Sequence, residues 1–149
     1  MTSAGTDAEP ETIARVLGET HTWAVVGCSS NPMRPSNDVS QTLMRHGYRM
    51  IPVNPKETEV HGQKAYPDLF AAQADAVAAG QPIEVVDVFR NSAHAGIHVD
   101  EAIQIGAKAV WLQLGVIDEA AAARALQAGL WVVMDRCPAI ELARLSRGA

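Results

Sequence analysis

Cysteine is scarce: the 149 residues hold only Cys28 and Cys137, far too distant for a CxxC pair. A disulfide scaffold is therefore excluded, and with no signal-type leader ahead of the domain a reducing cytoplasm is the expected compartment. Net positive charge is missing too, since twelve Lys and Arg face seventeen Asp and Glu for a formal charge of -5. Nucleic acid and anionic membranes both call for a basic surface, so neither is expected as the main partner. Any anionic ligand must be met by local cations. No uninterrupted apolar run is long enough to cross a bilayer. No GxSxG occurs, and no histidine sits in a motif that would mark a phosphorylated intermediate, so no catalytic set emerges.

What is present suits one compact domain. A chain of this length, 48% hydrophobic, buries roughly 68–70% of the surface its unfolded form exposes. Residues 1–10, MTSAGTDAEP, are small and polar and are expected to fray, leaving 11–149 as a single domain. A short helix fits Glu11 to Glu19. Five apolar runs follow, at 22–28, 49–54, 83–89, 109–114 and 131–135, rich in Val and Ile and mostly continuous, as strands covered on both faces are. Helical patterns separate them. One is capped by Ser36 and ended by Gly47, one fits Ser92 to Ile105, and one opens at Asp118 and stops at Gly129. Pro138 opens the last helix. The link from Pro55 to Pro82 mixes a loop-like HGQKAYP with a helical DLFAAQADAVAA. Alternating strands and helices imply a five-stranded, mainly parallel sheet in a Rossmann-like three-layer αβα sandwich.

In such a sheet ligands sit beyond the carboxyl ends of the strands, where the connections diverge. The segment AVVGCSSNPMRPSNDV lies there. Gly27 lets the backbone turn close to a ligand, Ser29 and Ser30 offer hydroxyls, and the helix start near Ser36 presents N–H groups suited to phosphate. This is neither GxGxxG nor a P-loop, and a glycine at that place also serves simple packing. Charge adds to the signal. Arg34 follows the first strand, Lys56 the second and Arg90 the third, so three strands deliver a cation to one edge; exposed Lys and Arg also fall in loops for no reason of function.

The second strand ends in PVNPKETE, without the Asp or Glu that binds both ribose hydroxyls in an NAD site. Asn54 can bond a ribose or base, and Lys56 suits an extra phosphate near the adenosine ribose. NADP and coenzyme A both carry one, and residue chemistry does not choose between them.

Five motifs in order, VVGCSSNPMRPS, YRMIPVNP, VVDVFR, GAKAVWLQLGV and VVMDRCPAIE, resemble the small stand-alone CoA-binding domain proteins. These are similar to the CoA-binding module of the succinyl-CoA synthetase alpha subunit. The likeness covers about Thr22 to Leu145. It implies a CoA or acyl-CoA ligand with Gly27, Ser29, Ser30, Arg34, Pro35 and Ser36 around the diphosphate. Asn54, Pro55 and Lys56 would face the adenosine and its 3′-phosphate, with Phe89 and Arg90 at the adenine or pantetheine side. Cys28, within the same loop, counts among the cofactor-binding candidates; it stands where a small alanine is common in the family, which leaves its thiol either inert or reactive.

The remaining candidates have structural explanations beside functional ones. Cys28 and Cys137 both follow strands and are expected to be buried. His94 and His98 have the i,i+4 spacing of a metal pair but no third ligand nearby. Arg136 is an anion contact or a surface partner of Asp135 or Glu141. Trp111 and Trp131 read as core, and Gly115 as a turn or a cleft-lining residue. The reading is a non-catalytic CoA-binding protein, a sensor or accessory of acyl-CoA metabolism, with a homodimer expected on base rates. Two alternatives stand beside it: an NADP-binding oxidoreductase-like protein and an interaction domain that has lost its ligand.

Overall fold

A computed structural model describes Pro10–Gly148. The fraying expected over residues 1–10 lies outside the described residues except for Pro10, which opens helix α1 (Pro10–Glu19). All five main strands form: β1 (Thr22–Val26), β2 (Arg49–Val53), β5 (Val85–Val88), β6 (Ala109–Leu112) and β7 (Trp131–Val133). They pair in parallel in the order β2-β1-β5-β6-β7. Two of the strands stop short of the apolar run for a local reason. Gly27 leaves β1 with φ +82°, and Asp135 beyond β7 has φ +60°, a conformation that short polar side chains tolerate.

The unclear link resolves into a small hairpin and a helix. Strands β3 (Glu59–Val60) and β4 (Gln63–Lys64) pair antiparallel around His61 and Gly62, both with positive φ. Strands of two residues leave no period in the sequence, so no pattern announces the hairpin. Helix α3 (Leu69–Ala78) begins where the Asp68 carboxylate accepts from the Ala71 N–H at 2.8 Å. Asn91 and Asp118 cap α4 (Ser92–Gln104) and α5 (Glu119–Gln127) in the same way. Pro138 opens α6 (Pro138–Gly148).

Helix α2 (Pro35–Arg45) starts two residues before the position expected from a Ser36 cap. Pro35 is its first residue and Arg34 its N-cap, without a side-chain cap, so Ser36 is inside the helix rather than capping it. A proline suits the first position because its missing N–H has no intrahelical partner to lose.

Alternation along the strands divides the core in two, giving a Rossmann-like α/β sandwich. Ala24, Val26, Val86, Val88, Val110 and Leu112 face α3, α4 and α5, which meet them with small residues such as Ala72, Ala95 and Ala121. Trp23, Val25, Val85 and Trp111 face α1, α2 and α6. The two tryptophans are fully buried with ring centroids 5.5 Å apart. Trp131 is half-buried and packs against this second layer.

The chain leaves β1 towards α2 on one face and leaves β5 towards α4 on the other. Their divergence at adjacent strands opens a crevice at the carboxyl edge. No described helix is long and apolar enough to cross a membrane.

Candidate functional site

Gly27 fixes the crevice. A Cβ at this position would stand 2.5 Å from the Phe89 carbonyl oxygen, and its φ of +82° is one that side-chain-bearing residues avoid. Its N–H donates to the Val53 carbonyl at 2.8 Å, while the Phe89 N–H donates to Val26 at 2.9 Å, so the ends of β1, β2 and β5 are drawn together.

The loop beyond Gly27 is laced to itself. Ser29 N–H donates to Ser36 Oγ at 3.0 Å, Asn31 N–H to Ser29 Oγ at 3.0 Å, and Met33 N–H to Asn31 Oδ1 at 2.9 Å. Asn37 Nδ2 donates back to the Ser29 carbonyl at 2.9 Å. Ser30 N–H goes to Glu57 Oε2 at 2.9 Å, and this bond, backbone first, holds the Glu57 carboxyl below its ordinary range. Most loop amides are thus spent on holding the loop's shape. The groups left for a ligand are side chains and the start of α2. The Ser36 hydroxyl, buried at the second helical position, accepts from Ser29 and keeps its own proton to donate.

A cavity of about 560 Å³ lies over this edge. Ten of the residues singled out from sequence line it: Gly27, Ser29, Arg34, Pro35 and Ser36 from the first connection, Asn54, Pro55 and Lys56 from the second, and Phe89 and Arg90 after β5. Asn54 is fixed twice, its Nδ2 donating to the Cys28 carbonyl and its Oδ1 accepting from the Lys56 N–H, both at 3.0 Å. That clamp joins the loops after β1 and β2.

Two residues stand apart. Ser30 is exposed and is not part of the wall, its amide engaged by Glu57. Cys28 is fully buried in the layer facing α1, α2 and α6, and contributes only its carbonyl to the Asn54 clamp. Burial pushes its thiol up to about 11, against a smaller opposing effect of Ser40. At neutral pH it is a protonated, inert core side chain. Cys137 is buried as well.

The wall also contains carboxylates, and each has a task. Glu57 holds Ser30, Asp68 caps α3, and Glu101 accepts from His98 Nδ1 at 2.8 Å. Arg34, Lys56 and Arg90 are exposed and form no ion pair among the described residues. The uncommitted charge of the cavity is therefore positive.

His98 and Glu101 join the wall without a sequence signal. Their i,i+3 spacing on α4 does not say which side of the helix faces the cleft, and His94 turns instead to Asn91. Among the described residues no group of three His, Cys, Asp or Glu is arranged to hold a metal. Arg136 donates to its neighbour's backbone, the Asp135 carbonyl, at 2.9 Å, rather than to a carboxylate, and lies outside the cavity.

A second cavity of about 660 Å³ adjoins the first, sharing Pro35, Phe89 and Arg90. Its remaining wall is largely apolar, with Val39, Leu114, Val116, Ala139 and Ile140, and Gly115 turns at its edge with φ +80°.

The chain is 35% identical over 125 residues to an uncharacterized protein, YneT, of Bacillus subtilis, covering 84% of this chain and 87% of that protein. Among solved structures it is similar to a hypothetical protein from Pyrococcus horikoshii OT3, with 36% identity, 98% of each chain covered and a TM-score of 0.83. A PH1109 protein redesigned for binding, Prb, shows 39% identity over 94% of each chain at a TM-score of 0.85. The CoA binding domain family matches residues 21–143, nearly the whole described structure, and the chain belongs to that family.

Proposed function

We propose that the protein binds coenzyme A in the first cavity, without transforming it, as a sensor or accessory of acyl-CoA metabolism. The observation that carries this reading is the set of three cations without an ion pair among the described residues, Arg34, Lys56 and Arg90, brought by the connections after β1, β2 and β5 to one crevice of an otherwise acidic chain. Coenzyme A carries a diphosphate and a 3′-phosphate, so it has anions for more than one of them.

The diphosphate would lie against the start of α2, where the Ser36 hydroxyl and the helix dipole favour negative charge and Arg34 is adjacent. Lys56, on the far side of the Asn54 clamp, would meet the 3′-phosphate. Phe89 offers a flat apolar surface between them. Ser30 and Cys28 would act through the loop rather than by touching the ligand: one is tied to Glu57, the other sits in the core.

Thermal unfolding with CoA, dephospho-CoA, NADP and NAD tests the reading. A ligand at ~100 times its dissociation constant stabilises the fold by about 2.7 kcal/mol, a shift of several degrees. CoA is expected to raise the midpoint most and dephospho-CoA less. A shift with NADP and none with CoA would favour the oxidoreductase-like alternative, and no shift with any would favour a domain without a nucleotide ligand.

A further inference from the structure

We propose that the second cavity receives the thioester end of an acylated coenzyme, so that the protein binds acyl-CoA more tightly than free CoA. The inference rests on the coenzyme reading of the first cavity and extends it along the sheet edge. In the strand order β2-β1-β5-β6-β7, the first cavity covers the ends of β2, β1 and β5, and the second covers the ends of β5 and β6 and the start of α6. Pro35, Phe89 and Arg90 line both, so a ligand anchored by its phosphates at α2 can continue directly into the second.

The two walls differ as the two ends of such a ligand differ. The first is set with cations. The second is dominated by Val39, Leu114, Val116, Ala139 and Ile140, and its volume of about 660 Å³ falls within the range of small-molecule sites. Leu114 and Ile140, 53% and 42% exposed, stand in the same wall with Val39, Val116 and Ala139, and a gathered apolar surface of this kind marks ligand-binding grooves.

A further group in that wall points to a polar section of the ligand. Gln113 is 7% exposed, and its Oε1 is buried without a hydrogen-bond partner among the described residues. A buried amide oxygen left unpaired is unfavourable, and native structures seldom leave one so. The pantetheine arm carries two amide N–H donors ahead of its sulfur. An N–H donated to Gln113 Oε1 would hold the arm at the mouth of the apolar space and leave the acyl group to enter it.

Titration calorimetry of the full chain with CoA and with acetyl-, butanoyl-, hexanoyl- and octanoyl-CoA tests this. Each methylene buried in the cavity should tighten binding by about three- to fourfold until the space is filled. Leu114→Asp and Ile140→Asp alter exposed positions and leave the core intact; each should flatten the series for the longer chains, with melting midpoints confirming the fold. CoA binding with equal affinity across the series would overturn the second-cavity proposal while leaving the coenzyme reading in place. Absence of binding by any of these ligands would overturn both. A flat series together with a sedimenting dimer that Leu114→Asp dissociates would overturn the proposal by assigning the patch to a second copy of the chain.

Discussion

The two cavities occupy one continuous sheet edge and share three residues, yet the first gathers three cations, whereas the second, with Asp38 and the shared Arg90 as its charges, is mostly aliphatic. The difference lies in the connection that leaves each strand. Beyond β1 and β2 come hydrogen-bonded polar loops, and beyond β5 Phe89 and then Arg90, whereas β6 runs into Gln113, Leu114, Gly115 and Val116. One fold element thus presents two chemistries, because the parallel sheet fixes where the strands end but leaves the connections free to vary.

The largest effect is expected at Gly27, where the two sides are joined through Phe89. Gly27→Ala places a Cβ against the Phe89 carbonyl at a positive φ, and should cost about 2–4 kcal/mol. Calorimetric unfolding would show the midpoint falling by roughly 4–16 °C.

Arg90 comes next, since it lines both cavities. Arg90→Ala should weaken CoA binding about 10- to 100-fold through loss of a charge-assisted contact, with an unchanged melting midpoint for the unliganded protein. Equal affinity in the variant would detach Arg90 from the ligand.

The third prediction concerns Asp87, two residues before Phe89 on the same face of β5. Asp87 is fully buried, neither carboxylate oxygen has a partner among the described residues, and burial raises its pKa well above the ordinary carboxylate value. A raised folded-state value means the native protein holds a proton that the unfolded chain releases above about pH 4. Stability from this group is complete below that pH and declines as pH rises towards the folded value. Asp87→Asn removes the titration. The variant should lose less stability than the parent between pH 5 and 8 in denaturant unfolding, and parallel pH profiles would contradict the burial argument.

The smallest effect is at Cys28. With its thiol held protonated in the core, alkylation at pH 7.5 should be slow in the native state and become rapid on unfolding, as followed by mass spectrometry.

Much of this arrangement was legible in the sequence because it depends on local, repeated signals. Five β-branched runs separated by capped helices specify the sheet, and Gly27, Asn54 and Arg90 sit where strands must end. Ser36 shows a limit of such reading: a Pro-Ser pair permits a start at either residue, and the structure takes the proline as first in the helix. Cys28 divides the same way: its place at the end of an apolar run foretold burial, which the structure shows, while its position in the loop offered it as a ligand contact, and the first cavity does not include it. Of the second cavity the sequence offered only Gly115 and the residues shared with the first, because its wall joins α2, the connections after β5 and β6, and α6, more than a hundred residues apart from end to end. His98 and Glu101 were hidden for a related reason, since the face a helix turns to a cleft depends on packing that no motif on that helix records.

The central claim is that the strand-end cations hold the phosphates of coenzyme A. Its most direct test is a double comparison by titration calorimetry: CoA and dephospho-CoA, each with the parent chain and with Lys56→Ala. The account predicts that the substitution weakens CoA about tenfold or more and leaves dephospho-CoA nearly unaffected. An equal loss for both ligands, or no loss for either, would contradict it.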